Sequence, residues 1–269
     1  MLKSRQVFFA PDNNLTLRHS IMLPSSSNYE KYHRVLSQSP LFHGCDHQFL
    51  QDRLLHLEPV EHSRGDVVLE AQQTKDTFFI VVKGRVKLVS RAEANEREIT
   101  LFLLGPGEAF DVVSLLDRQA HNLSAEALDD VTLLSAPTEE IRNWIAHHPE
   151  FNRTFLPYLG RKMSMLSELA SDLTLHDTGI RLARLILRHV DPESANHEVQ
   201  LINNLSHEEL ANMIGTVRVV ANRQIQNLKR RGIIDARRGN LVVKDLDALM
   251  KQCDFTIPMP PSEDDSLGA

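Results

Sequence analysis

Arg218, Asn222, Arg223 and Gln226 fall on one face of any helix that runs through LSHEELANMIGTVRVVANRQIQNLKRRGII, residues 205–234. Guanidinium and amide groups in such a row can fork onto guanine or adenine edges in a major groove, the chemistry of sequence-specific DNA contact. The local charge agrees. Residues 205–251 carry nine Lys/Arg against five Asp/Glu, although the whole chain has a formal net charge of −6. A second cluster, His43-Gly44-Cys45-Asp46-His47, has the donor types of a metal or haem site. Asp46 is the natural N-cap of a helix beginning there, and three donors within five residues do not easily converge once that helix forms, so the segment reads as structural and no metal site is expected. With two cysteines, and only Cys45 ahead of the basic module, the chain lacks the four thiolates of an iron-sulfur cluster. His147-His148 reads as a favourable charge at a helix end, and Trp144 as core. No nucleophile with an adjacent base, metal-ligand spacing or phosphate loop is present, so no enzyme is expected.

The elements that must hold the Arg/Asn/Gln row follow from local grammar. Ser206 followed by Glu209 is a capping box opening a short helix, and Gly215 supplies a left-handed turn into a second helix over residues 217–229. Leu210, Met213, Ile214, Val220, Ile225 and Leu228 are the expected shared core. Two short β-runs at 233–236 and 240–243 flank Arg238-Gly239 and form a hairpin. The order is that of a winged helix-turn-helix. Its expected DNA-contacting set is Arg218, Val219, Asn222, Arg223, Gln226, Lys229 and Arg230, with Ser206 and Arg238 at the edges.

The whole chain, 42% hydrophobic and 25% charged, has ordinary globular composition, and its apolar runs are too short to span a bilayer. The N-terminus lacks the h-region of a secretory signal, so a cytoplasmic location is expected. Residues 1–28 read as a mobile arm, followed by helices over 29–37 and 46–57. From residue 60 to 136 come β-branched runs at 66–69, 77–82, 85–90, 98–104, 123–127 and 131–134. They are separated by turns such as Lys83-Gly84, Ala94-Asn95 and Gly105-Pro106-Gly107, a pattern that predicts a sandwich or barrel. Thr138 is the expected cap of a helix to 147. A longer helix to about 174 carries Leu156, Leu159, Met163, Leu166, Ala170 and Leu173 as an a/d seam suited to pairing. His176-Asp177 marks the hinge to a helix over 178–189. The expected divisions are 1–28, 29–148, 149–175, 176–251 and an acidic tail, 252–269.

Taken together, residues from about 41 to 249 resemble the cyclic-AMP receptor and fumarate-nitrate reduction regulator (CRP/FNR) family of bacterial transcription factors. The likeness is carried by the Gly65-Asp66 and Lys83-Gly84-Arg85-Val86 strand corners, the Gly105-Pro106-Gly107-Glu108 turn, the seam helix, Asp177, and Gly215-x-x-Arg218. The resemblance implies an α+β chain: an N-terminal β jelly-roll sensor domain, a long dimerisation helix and a C-terminal winged helix-turn-helix domain. It also implies a homodimer on palindromic double-stranded DNA, working with RNA polymerase and no membrane, and it places the dimer helix contacts at Leu159, Met163, Leu166 and Leu173. Relatives that bind cyclic nucleotides carry Phe-Gly-Glu and Arg-Ser-Ala-Thr segments. The corresponding positions here are Phe110-Asp111-Val112 and His121-Asn122-Leu123-Ser124. Val112 cannot accept from a ribose hydroxyl, and neutral His121 replaces a fixed guanidinium, so cyclic-AMP binding is not expected. Phe110, Asp111, Val112, Arg118, His121 and Asn122 remain the candidate effector pocket. The competing reading on the same scaffold is a haem-dependent CO or NO sensor with a sensor-domain histidine as axial ligand. An absorption spectrum separates the two.

Overall fold

The computed structural model describes residues 27–71, 76–92, 97–191, 194, 199–237 and 240–253. Most of the arm and tail, the Ala94-Asn95 turn and Arg238 fall outside these residues. Strand β3 (Thr77–Lys83) is the spine of the N-terminal part, and its run Phe78-Phe79-Ile80-Val81-Val82 is buried on both faces. That double burial is why it reads as continuous apolar sequence instead of an alternation. Phe79 and Val81 point between two sheets, whereas Phe78, Ile80 and Val82 point under a layer of helices.

One sheet has the order β1-β8-β3-β6, formed by β1 (Glu58–His62), β8 (Val131–Pro137), β3 and β6 (Ala109–Phe110). The other has the order β2-β7-β4-β5, formed by β2 (Val67–Leu69), β7 (Ser124–Ala127), β4 (Val86–Arg91) and β5 (Glu98–Leu104). All the pairings are antiparallel. The runs at 66–69, 77–82, 85–90, 98–104, 123–127 and 131–134 all became strands, with ends shifted by up to three residues. Strands β1 and β6 and the short helix α3 (Val112–Asp117) were not anticipated: β6 is two residues long, β1 reads Glu-Pro-Val-Glu-His with a proline and two acids, and α3 is under two turns with no side-chain cap.

The helical layer comprises α1 (Ser27–Gln38), α2 (His47–Leu54), α4 (Thr138–His147) and the first turns of α5 (Pro149–Leu175). Helix α1 begins inside the expected arm, and α2 stops before residue 57, although Leu57 is still buried. Asp46 caps α2 as expected, accepting from Gln48 N at 3.2 Å. Thr138 does not cap α4: it is the first helical residue with its Oγ1 buried and unpartnered, and Pro137 holds the cap position with φ −55°. Trp144 is core and donates its Nε1–H to Glu140 at 2.8 Å. Pro149 starts α5, and Pro157 lies inside it.

Helix α5 and the helix after it are separated at His176-Asp177. His176 is extended, and the Asp177 side chain accepts from Gly179 N and Ile180 N at 2.7 and 3.0 Å, starting α6 (Thr178–Arg188). Helices α7 (His207–Met213) and α8 (Arg218–Arg230), hairpin β9 (Ile234–Arg237) with β10 (Asn240–Val243), and α9 (Leu246–Gln252) complete the chain. Helix α9 was not anticipated either. Arg231 Nη1 holds it by donating to Gln252 Oε1 at 2.7 Å.

Candidate nucleic-acid interface and sensor cavity

The capping box opening α7 is complete: Ser206 Oγ accepts from Glu209 N at 3.1 Å, and Glu209 Oε2 accepts from Ser206 N at 2.6 Å. Gly215 has φ +61°, so the turn needs glycine for its backbone angle, and an added Cβ would lie 2.4 Å from Leu173 Cδ2, making the end of that side chain swing aside. Beyond it, α8 buries Ala221, Ile225 and Leu228. Ala221 takes the core position expected for Val220, which is only half-buried. The opposite face exposes Arg218, Val219, Asn222, Arg223 and Gln226, with Val219 at 78%. No side chain caps the N-terminus of α8, where Val220 N and Ala221 N both donate to Val217 O at 2.9 and 3.1 Å. Arg230 is also exposed. Lys229 is not a free cation: it is half-buried and donates to Ala236 O in the hairpin at 2.7 Å. Ser206 is exposed but already accepts from the helix it caps.

The second site is a cavity of about 90 Å³ between the β2-β7-β4-β5 sheet, the turn before α3, and α5. Of the six expected residues, Phe110, Asp111, Val112 and His121 line it. Arg118 and Asn122 do not. Arg118 sits in left-handed backbone (φ 62°) at the end of α3 and turns outward to pair with Glu139 at 3.2 Å, while Asn122 is exposed. Sequence reasoning missed Ser114, Ser124 and Lys162, which also line the cavity. The helical spacing of Phe151, Phe155, Tyr158 and Lys162 was the available signal for Lys162, since these four share one buried face of α5.

That face welds α5 to the turn ahead of the cavity. Tyr158 Oη donates to Ala109 O and accepts from Ala109 N, each at 2.9 Å, and burial pushes the phenol well above its usual range. Lys162 Nζ lies 2.6 Å from Glu108 Oε1, and Glu108 Oε2 accepts from Gly105 N at 2.9 Å. Asp111 has φ 64°, at the position where the resembling pattern has glycine, and burial raises its carboxyl to about 7. His121 Nε2 lies 2.9 Å from Asp117.

The outer face of α5 is less covered: Leu156 and Met163 are 61% and 64% exposed, and Leu159, Leu166 and Leu173 are half-buried. The His43–His47 segment is engaged locally. His47 Nε2 pairs with Gln51 Nε2 at 2.9 Å, and Cys45 Sγ lies 3.6 Å from Thr154 Oγ1 with its thiol pushed up by burial. Among the described residues no three His, Cys, Asp or Glu side chains are grouped to hold a metal, and no helix is long and apolar enough to cross a membrane.

The two halves touch directly. Arg85 pairs with Asp129 at 2.6 Å and reaches across to donate to Leu201 O and to Asn203 O, the latter at 2.5 Å. Asn212 of α7 donates to Glu98 of β5 at 3.0 Å, and Asp172 of α5 pairs with Arg184 of α6 at 2.7 Å.

Residues 59–148 match the cyclic nucleotide-binding domain model, and residues 180–252 match the Crp-like helix-turn-helix domain model. A global nitrogen regulator of Synechocystis is 31% identical over 181 residues, covering 66% of this chain and 80% of that protein. A CRP-like cAMP-activated global transcriptional regulator of Mycobacterium tuberculosis is 25% identical over 220 residues, 81% of this chain and 98% of that one. Among solved structures, a CRP/FNR-family regulator of Thermus thermophilus aligns with a TM-score of 0.59 at 26% identity, over 74% of this chain and 99% of that chain. CooA of Carboxydothermus hydrogenoformans, at 22% identity and a TM-score of 0.64 over 75% of this chain and 90% of that one, shares the fold.

Proposed function

The chain belongs to the CRP/FNR family of DNA-binding transcriptional regulators, with a cyclic-nucleotide-binding-like sensor domain, and from that membership we propose that two copies pair along α5 and place two α8 helices on a palindromic site. The observation that carries the reading is the outward row Arg218, Asn222, Arg223 and Gln226 beside an uncapped helix start, opposite buried Ala221, Ile225 and Leu228. Half-sites lie about one helical turn apart. Arg218 and Arg223 fork onto guanine, each contact worth about 1–3 kcal/mol of discrimination, while Val219 meets a thymine methyl or relaxes the preference at its position. Arg230 contacts phosphate, and Arg238, which lies outside the described residues, is assigned the same role from its place in the sequence between β9 and β10. Ser206 contributes through its hydroxyl proton while capping α7, and Lys229 serves the hairpin first and phosphate second.

The division into a sensor domain over 29–148, a pairing helix over 149–175 and a DNA-binding domain over 176–251 completes the reading. The protein acts in the cytoplasm beside RNA polymerase. Its effector occupies the cavity against Phe110, Asp111, Val112 and His121, and it works by binding one arrangement of the two domains better than another. Cyclic AMP is not that effector, because Val112 and His121 lack its polar anchors. Random-sequence selection with the purified full chain tests the DNA reading: a two-fold symmetric consensus is expected, and an asymmetric one, or none, overturns it. Calorimetric titration with cyclic AMP is expected to be silent, and micromolar binding overturns the effector assignment.

A further inference from the structure

The polar groups around the sensor cavity are already spoken for, or carry the wrong charge for an anion. Lys162 is the sole lysine or arginine among the described residues lining it, and its ammonium is neutralised by Glu108 at 2.6 Å and flanked by the rings of Phe102 and Tyr158 at 5.1 and 5.2 Å. Arg118 faces away, paired with Glu139. What remains is the Asp111 carboxyl and the fully buried Ser114 hydroxyl, which serves that carboxyl as its side-chain hydrogen-bond partner. Left-handed backbone at Asp111 aims a carboxyl where the family pattern leaves hydrogen. Such a conformation in a non-glycine residue persists only when its surroundings impose it. Apart from Ser124 and from His121, whose Nε2 lies 2.9 Å from Asp117, the rest of the wall is hydrocarbon, chiefly Leu88, Phe102, Leu104, Phe110 and Leu166.

An anion entering this cavity loses hydration, gains no unpaired cation and meets a carboxyl. An uncharged molecule loses little and buries its apolar body against this wall. We propose that the cavity is selective for uncharged, largely apolar small molecules, and rejects phosphate-bearing and other anionic effectors. This rests on reading the cavity as the effector site.

Benzyl alcohol and benzoate are single rings of nearly one shape that differ chiefly by charge, so titrating each into the full chain by calorimetry isolates charge. The alcohol is expected to bind saturably, and benzoate at least roughly tenfold more weakly. Asp111→Asn, which keeps the volume, should narrow that gap by improving benzoate binding. Leu88→Trp, which fills the cavity from the sheet side, should abolish binding of the alcohol while circular dichroism and the melting transition confirm a folded protein. Absence of binding by the alcohol, equal affinity for the two probes, or binding unchanged in a folded Leu88→Trp protein each overturns the proposal. Fluorescence anisotropy with the selected DNA runs alongside. A chain that binds DNA and neither probe loses this proposal and keeps the regulator reading, and one that discriminates the probes without binding DNA does the reverse.

Discussion

Asp111 stands in left-handed backbone with its carboxyl among apolar side chains, and burial pushes that group up to about 7 from an ordinary value of 3.8. The native state therefore holds a proton that the unfolded chain has released between those values. Stability falls as pH rises through that window, and the full cost of the buried charge is present above it. Asp111→Asn removes the titration and keeps a residue tolerant of left-handed backbone. Its melting temperature should exceed that of the parent by more at about pH 8 than at about pH 5, and equal gaps would place the charge effect elsewhere. Arg223→Ala should lose about 1–3 kcal/mol of preference at one base pair in competition binding, whereas Arg230→Ala should weaken all sequences alike and flatten the salt dependence. At this scale the α8 row was legible because helical spacing alone decides which side faces out. Lys229 and Arg118 were not, because the hairpin carbonyl that takes one and the unforeseen end of α3 that turns the other outward leave no periodic trace.

Helix α5 has two working faces: Phe151, Phe155 and Tyr158 locked to the β-domain, and a partly bare stripe through Leu156 and Met163. An apolar stripe of this length at heptad spacing is stable when a second helix covers it. Leu166→Asp should give a monomer in sedimentation, and Met163→Asp, which alters a far more exposed seam position, should do the same. A monomeric parent at micromolar concentration would remove the paired reading. Gly215→Ala imposes left-handed strain of about 1–2 kcal/mol. Thermal denaturation should show a lower melting point that persists in a Leu173→Ala background, since the backbone strain and not the contact with the Leu173 side-chain end sets the loss. Most elements were legible: the capping box, the Gly215 turn and the two-faced strand β3 each carry a local signature. Strand β6 and helices α3 and α9 are too short for periodicity, β1 is interrupted by a proline, and their neighbours in space set them.

Across the whole molecule, Leu103 and Leu128 of the β-domain belong to the same buried cluster as Leu182, Ile186, Leu210 and Ile225 of the DNA-binding domain. Arg85 clamps that junction by holding Asp129 and the carbonyls of Leu201 and Asn203. Scanning calorimetry of the parent should show one transition, and Arg85→Ala should split it into two; a single unchanged peak would mean the apolar contact alone couples the domains. Domain order was readable in the sequence, but this junction was not, because Arg85 and Leu201 are 116 residues apart and no motif spans the gap. The shared cluster also bears on how the protein is made. Leu103 and Leu128 leave the ribosome long before their partners on α6 to α8, a wait on the order of ten seconds at ordinary elongation rates. For that interval the nascent β-domain displays a greasy patch that nothing of its own can cover, so a message truncated before α6 yields a product marked for chaperone capture or aggregation.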